Sequence, residues 1–156
     1  MKLEKARFAA GCFWGVEEEF RVLEGVLRTR VGYSGGSFEN PSYRDVCSGK
    51  TGHAETVEVE FDSDVISYDE LLDVFWKIHD PTTLDRQGLD VGSQYRSVIF
   101  YFDEAQKNVA LNSLEKEQKK RRGKIVTEIV EALEFYEAEE YHQKYLMKKG
   151  IASCRI

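Results

Sequence analysis

Short stretches of strand periodicity alternate along this chain with stretches of helical periodicity, and their order predicts the fold class. Lys5 to Ala10 is an apolar-leaning run that meets Gly11; Val16, Phe20 and Leu23 then recur at helical spacing, with Glu17 to Glu19 read as an acidic first turn. The pattern predicts a strand, a glycine turn and a helix that Gly25 ends. Val26 to Tyr33 alternates polar with apolar residues and reads as a second strand. Residues 34–53, rich in glycine and serine around Pro41, predict a long irregular loop.

Ala54 to Phe61 carries the clearest period of two. Val57, Val59 and Phe61 fall on one face and Glu58 and Glu60 on the other, so one face is expected to be buried and the other wet. Ser67 with Glu70 three residues later is a capping box, and Leu71, Leu72, Phe75, Trp76 and Ile78 form the apolar stripe of a helix that stops before Pro81. A second irregular loop, Asp80 to Gln94, leads to a strand over Tyr95 to Phe102, and Asp103 caps a helix that runs to about Arg122. Ile125 to Ala132 reads as a last strand, Ala138 to Lys149 as a final helix, and Gly150 to Ile156 as a tail.

The order β-α-β-β-α-β-α-β-α, with several half-polar strands, favours an α/β (α+β) fold over a doubly wound parallel sheet. The expected architecture is a two-layer sandwich with a mixed or antiparallel sheet: a ferredoxin-like core with extra elements and long loops. The 156 residues fit a single catalytic domain, 1–156, long enough to bury roughly 70% of the surface of the unfolded chain.

Charge narrows the partners. With 22 Lys and Arg against 28 Asp and Glu, the net charge is -6, so nucleic acid is not an expected partner. The basic cluster from Lys116 to Lys124 fits a helix C-terminus, where cations favour the dipole. No stretch approaches the ~18 apolar residues that span a bilayer, which leaves a cytoplasmic monomer as the expectation. The three cysteines, Cys12, Cys47 and Cys154, show no CxxC spacing, and His53, His79 and His142 are scattered, so neither a metal nor a disulfide scaffold is proposed.

Candidate chemistry starts at Gly11-Cys12-Phe13-Trp14-Gly15. A cysteine at a turn from strand into helix faces the first helical N–H groups, and their partial positive charge lowers a thiol pKa that is otherwise about 8.5. The same residue also suits a small buried hydrophobe. Phe13 and Trp14 suit either the core or the wall of a pocket for an apolar group, and sulfur compounds pack well on aromatic rings. Glu55, taken alone, reads as a solvated companion of Glu58 and Glu60. His53 leaves open a cysteine hydrolase in which it serves Cys12 as base, and a non-enzymatic thiol sensor is a third reading.

The run GCFWG at 11–15 resembles the active-site motif of the A-type peptide methionine sulfoxide reductases. Gly32-Tyr33-Ser34-Gly35-Gly36, the segment Tyr43 to Gly49, Gly52-His53-Ala54-Glu55, Asp80-Pro81-Thr82-Thr83, Gly92 to Ser97 and Tyr141-His142-Gln143 resemble that family's signatures in the same order. The likeness spans nearly the whole chain. It implies an enzyme that reduces the S epimer of methionine sulfoxide, free or in oxidised proteins under repair. Cys12 would be the nucleophile, Glu55 the proton donor, Tyr43 and Tyr95 the donors to the sulfoxide oxygen, and Phe13 and Trp14 the wall around the methyl. Asp90 would support the site through hydrogen bonds, while His53 would be structural; by position, His79, before Asp80-Pro81 at a helix end where a cation is favoured, and His142, on the last helix, also read as structural.

These roles match the chemistry of a sulfoxide, which has an electrophilic sulfur, a strongly accepting oxygen and an apolar methyl. Two phenols aimed at the oxygen form an oxyanion-type site, and a useful acid must be neutral at working pH, above the ordinary carboxylate value of about 4.3. Attack leaves Cys12 as a sulfenic acid, which condenses with a second thiol. Cys154 resembles the family's resolving cysteine, and a tail can bend to the ~5.5 Å Cα separation of a disulfide; Cys47 is the alternative. The resemblance implies thioredoxin as the outside reductant, with dithiothreitol as a substitute, and no bound cofactor. The chain departs from the family pattern at Leu89, where relatives often have Asn. It departs again in Lys149-Gly150-Ile151-Ala152, where many have a glycine-rich approach to the resolving cysteine.

Overall fold

The structure, a computed structural model, describes residues 1–150, so the expected resolving Cys154 lies outside the described residues. In chain order the elements are β1 (Leu3–Ala10), α1 (Phe13–Arg21), β2 (Val26–Ser34), α2 (Tyr43–Cys47), β3 (Ala54–Asp62), α3 (Tyr68–Lys77), β4 (Arg86–Gln87), β5 (Asp90–Val91), β6 (Ser97–Tyr101), α4 (Glu104–Gln118), β7 (Glu128–Glu131), β8 (Phe135–Glu137) and α5 (Tyr145–Lys148). Single 3₁₀ turns occupy Ser93–Tyr95 and Glu140–His142.

The main sheet has the order β7-β6-β1-β3-β2-β8. Its four central strands pair antiparallel, with α1 joining β1 to β2 and α3 joining β3 to β6, which is the ferredoxin-like core. At the edges β7 adds parallel to β6 and β8 antiparallel to β2, so the sheet is mixed.

Local signals account for the helices that cover one face. The Ser67 hydroxyl accepts from the Glu70 N–H at 3.1 Å and the Glu70 carboxylate accepts from the Ser67 N–H at 3.2 Å, closing the capping box of α3. Leu71, Leu72, Phe75 and Trp76 then turn inward together. Phe8 of β1 locks both helices to the sheet: its ring stacks on Phe20 of α1 at 5.1 Å and lies 5.3 Å from Phe75 of α3. Val57, Val59 and Phe61 of β3 complete this core, all fully buried.

The opposite face is not wet at Glu58, contrary to the strand pattern, while Glu60 on the same face stays half-exposed. Glu58 is only 2% exposed and takes hydrogen bonds from Arg7 and Arg30, each at 2.8 Å. What covers it is residues 132–134. Four residue steps separate Glu131 from Phe135, a reach of about 14 Å. Five strand spacings in a flat sheet are about 24 Å, so the sheet curls until its edges approach and the short connection crosses its concave side. There the Leu133 carbonyl accepts from Arg7 at 2.9 Å, the Glu134 carbonyl accepts from the Ser34 hydroxyl at 2.7 Å, and the rings of Phe102 and Phe135 lie against the Arg7 guanidinium. Burial alone would raise the Glu58 carboxyl, but the two guanidinium groups hold it below its ordinary value.

Other differences from the pattern have equally local causes. Glu17 to Glu19 fall in the second turn of α1, because that helix already starts at Phe13. Helix α4 ends at Gln118, and the strand expected from Ile125 begins at Glu128, since the Ile125 and Val126 N–H groups go to Gln118 and to the Pro81 carbonyl instead. The two expected loops contain α2 and the β4–β5 hairpin. A helix from Ala138 to Lys149 does not form. The Ala138 N–H donates to the Val31 carbonyl at 2.9 Å, and the Gln143 amide bonds both backbone groups of Val31, stitching this segment to β2 before a four-residue helix can begin. Among the described residues no helix is long and apolar enough to cross a membrane.

Candidate active site

Cys12 is the cap of α1. Its φ of -56° and ψ of 119° place it just outside the helix, after Gly11 at φ +104°, a left-handed conformation that favours glycine. A side chain at Gly11 would also meet Gln87 at 3.0 Å. Cys12 is half-buried and borders a cavity of about 690 Å³ whose wall includes Gly15, His79, Gln87 and Asp90. The start of a helix stabilises negative charge, so the position suits a thiolate.

The next residue connects helix to sheet. The Phe13 N–H, which has no acceptor within the helix, donates at 3.1 Å to Oε1 of Glu55 on β3. Glu55 is 1% exposed, and its Oε2 is buried without a hydrogen-bond partner. Burial pushes this carboxyl up to about 8, against the pull of the Phe13 N–H and with the negative charge of Asp90 adding to the rise. Glu55 is therefore not a solvated companion of Glu58 and Glu60. It shares the face of Val57 and Val59, beneath α1, by the alternation of the strand.

Two phenols join this acid. Tyr43 opens α2, which is capped by Ser42 and Asp45 in a reciprocal pair. Its N–H donates to Glu139 at 3.2 Å, its ring lies 4.4 Å from the His142 ring and 6.4 Å from that of Phe13, and its hydroxyl contacts Cys47 one turn on. Tyr95 ends the 3₁₀ turn before β6. Burial raises both hydroxyls, Tyr95 to about 12, with the charge of Glu55 contributing, so both remain neutral donors at physiological pH. The charges of Glu55, Cys47, Asp90 and Cys12 all act on Tyr95, which brings residues from five separate stretches of sequence into one locus. Asp90 reaches it from the β4–β5 hairpin, opposite Gln87.

The aromatic side is built by Phe13 and Trp14. Phe13 is buried against Tyr33 at 5.7 Å and His142 at 5.2 Å. The Trp14 indole stacks on Tyr145 at 3.9 Å, and its N–H donates to Nδ1 of His142 at 2.9 Å. Tyr33, Glu139, His142 and Tyr145 were not among the expected site residues; the signals for two of them were the motif runs Gly32-Tyr33-Ser34-Gly35-Gly36 and Tyr141-His142-Gln143. His142 lies in a 3₁₀ turn rather than on a helix, and burial keeps it neutral.

The remaining candidates divide. His53 has both ring nitrogens on backbone, Nδ1 accepting from the Gly36 N–H at 3.0 Å and Nε2 meeting the Phe38 carbonyl at 2.6 Å, so it cannot take a proton from Cys12. His79 is not a cation at a helix end. It bonds the Phe75 carbonyl and the Ser97 hydroxyl, and burial lowers it to about 4. Cys47 is exposed beside Tyr43, and burial of its thiol raises it above the ordinary range. Among the described residues no cluster of His, Cys, Asp and Glu is arranged to hold a metal ion.

Comparison with known proteins identifies the family. The family model for peptide methionine sulfoxide reductase matches residues 4–156. The chain is 61% identical to the peptide methionine sulfoxide reductase MsrA of Methanothermobacter thermautotrophicus, over 99% of this chain and 93% of that protein. Among solved structures, reduced Mxr1 from Saccharomyces cerevisiae superposes with a TM-score of 0.91 at 39% identity, covering 96% of this chain and 87% of that one. Mxr1 in complex with Trx2 is similar too, with a TM-score of 0.67 at 28% identity over 99% of this chain and 87% of that one. The chain belongs to the peptide methionine sulfoxide reductase family.

Proposed function

We propose that this chain reduces methionine S-sulfoxide to methionine with Cys12 as nucleophile and Glu55 as acid. The observation that carries the reading is a buried carboxyl, protonated at neutral pH, anchored through one oxygen to the first N–H of the helix that Cys12 caps, while its other oxygen has no partner. The sulfur of Cys12 attacks the sulfoxide sulfur. As negative charge collects on the oxygen, Glu55 supplies a proton and the Tyr43 and Tyr95 hydroxyls donate hydrogen bonds that strengthen with the charge. The substrate's S–O bond and the transient bond between the two sulfurs both break, and the protonated oxygen ends on Cys12 as a hydroxyl. The substrate is reduced by two electrons to a thioether, and the thiol is oxidised by two to a sulfenic acid. Phe13 and Trp14 take the methyl, and the negative charge of Asp90 helps keep Glu55 protonated.

The sulfenic acid then condenses with a second thiol, releasing water. Cys154 is our candidate, and Cys47, at the rim beside Tyr43, is the alternative. Thioredoxin returns the disulfide to thiols, a step supported by the likeness to Mxr1 in its complex with Trx2. We place this cycle in a reducing cytoplasm, in a monomer of one domain, with no bound cofactor and with neither nucleic acid nor membrane as partner; the net charge of -6 fits that setting.

The test is mass spectrometry of the protein after mixing with methionine sulfoxide in the absence of reductant. One methionine released per chain, with one oxygen or one disulfide gained at Cys12, is expected. Continued methionine production by Cys12→Ser would overturn the reading.

A further inference from the structure

Trp14 is gripped by two residues of the C-terminal segment, His142 through its indole N–H and Tyr145 through stacking at an interplanar angle of 12°. Between these two lie Gln143 and Lys144. Lys144 has φ +51°, a left-handed conformation, so its N–H is turned away from any helical acceptor and, being partly buried here, needs another. It donates at 2.6 Å to Oε1 of Glu17. Oε2 of Glu17 accepts from the Thr29 hydroxyl at 2.9 Å, and the Lys144 ammonium donates to the Thr29 carbonyl at 3.1 Å. Glu17 is 1% exposed and sits three residues beyond Trp14 on α1, nearly one turn along the same helix. The mechanism above has no use for this buried acid.

We propose that Glu17 is a positioning residue for the substrate's methyl. By holding Lys144 it fixes His142 on one side of the joint and Tyr145 on the other, and these together fix the indole of Trp14. The acid and the ring it controls are carried on one helix, with the C-terminal segment clamped across both. A carboxylate suits the position because it offers two acceptors to two donors, a partly buried N–H from the segment and a buried hydroxyl from β2. This rests on Trp14 forming the methyl wall, so the experiment tests that premise separately.

The test uses the full chain and single-turnover oxidation of Cys12, titrated with free methionine sulfoxide to give a half-saturating concentration and a limiting rate. Glu17→Ala strands the Lys144 N–H and should raise half-saturation about tenfold, with a smaller effect on the limiting rate. Glu17→Gln can accept from Lys144 and donate to the Thr29 oxygen, so it should restore both within about twofold. Because the chain has two tryptophans, a Trp76→Phe background isolates the emission of Trp14, which should shift in Glu17→Ala and return in Glu17→Gln. If Glu17→Ala does not fold, Thr29→Val, which removes one of the two donors, should show the same changes at smaller size. Parental half-saturation and emission in the altered variants, or a Gln variant as impaired as the Ala variant, overturns the proposal. A Trp14→Ala variant with parental half-saturation overturns the premise instead.

Discussion

The N–H of Phe13 and the carboxyl of Glu55 are joined at 3.1 Å, across 42 positions of sequence, so the start of α1 and the buried acid on β3 form one rigid unit. A helix terminus always leaves its first N–H groups in want of acceptors. Here one of them is met by a side chain that burial keeps protonated, and the proposed nucleophile, Cys12, is the residue that precedes that N–H.

That protonation gives the reaction a pH dependence. With Glu55 pushed up to about 8, the limiting rate of Cys12 oxidation should be level near neutrality and fall as pH rises through about 8. Glu55→Gln should slow that step by roughly 10²- to 10⁴-fold, the usual worth of a general acid, while iodoacetamide labelling of Cys12 proceeds at close to the parental rate. A variant as fast as the parent would remove Glu55 from the chemistry.

The same group acts on stability. Its value is raised in the folded state, so its contribution is fully present below the ordinary carboxylate range and is lost as pH rises through about 8. Glu55→Gln should therefore resist urea better than the parent at pH 9, by on the order of a few kcal/mol, and show a smaller advantage at pH 6. Parallel stability profiles for the two proteins would contradict the burial argument.

In the proposed mechanism Tyr43 and Tyr95 share one developing charge, so their losses should not be independent. Tyr43→Phe and Tyr95→Phe should each reduce the limiting rate by about 10- to 100-fold, and the double variant by more than either but by less than the product of the two. Both hydroxyls are raised well above neutrality, so neither variant should alter the pH profile set by Glu55.

The two further cysteines are separable by turnover. Cys154→Ser should release one methionine per chain and then stop when thioredoxin is the reductant, whereas Cys47→Ser should cycle at close to the parental rate. Steady thioredoxin-driven cycling in Cys154→Ser, lost only in the double variant, would move the resolving role to Cys47.

On the far side of the sheet, Glu58→Ala would leave the buried Arg7 and the half-buried Arg30 without their shared acceptor and should cost on the order of 3 kcal/mol of stability. Half-saturation by sulfoxide should be unchanged. Because the Glu58 carboxyl is held low, its contribution is present above the ordinary carboxylate range and is lost as pH falls through its lowered folded value; denaturant titrations from pH 6 to pH 3 read that loss.

Local pattern was enough to place Cys12 at the head of a helix, since Gly11 and the spacing of Val16 and Phe20 demand a strand, a turn and a helix in that order. It was enough for the caps of α3 and α4 and for the alternation of β3, and the motif runs carried the family. Tertiary structure alone decided what lies over each face. The period of β3 puts Glu55 opposite Glu58 but cannot say that α1 seals the first, or that residues 132–134, drawn across a curled sheet, seal the second. Nor could it say that the C-terminal segment gives up a helix to bond with Val31 and Glu17, which brings His142 and Tyr145 to Trp14. Periodicity reports a residue's orientation within its own element, whereas protonation and packing follow from contacts between residues far apart in the chain.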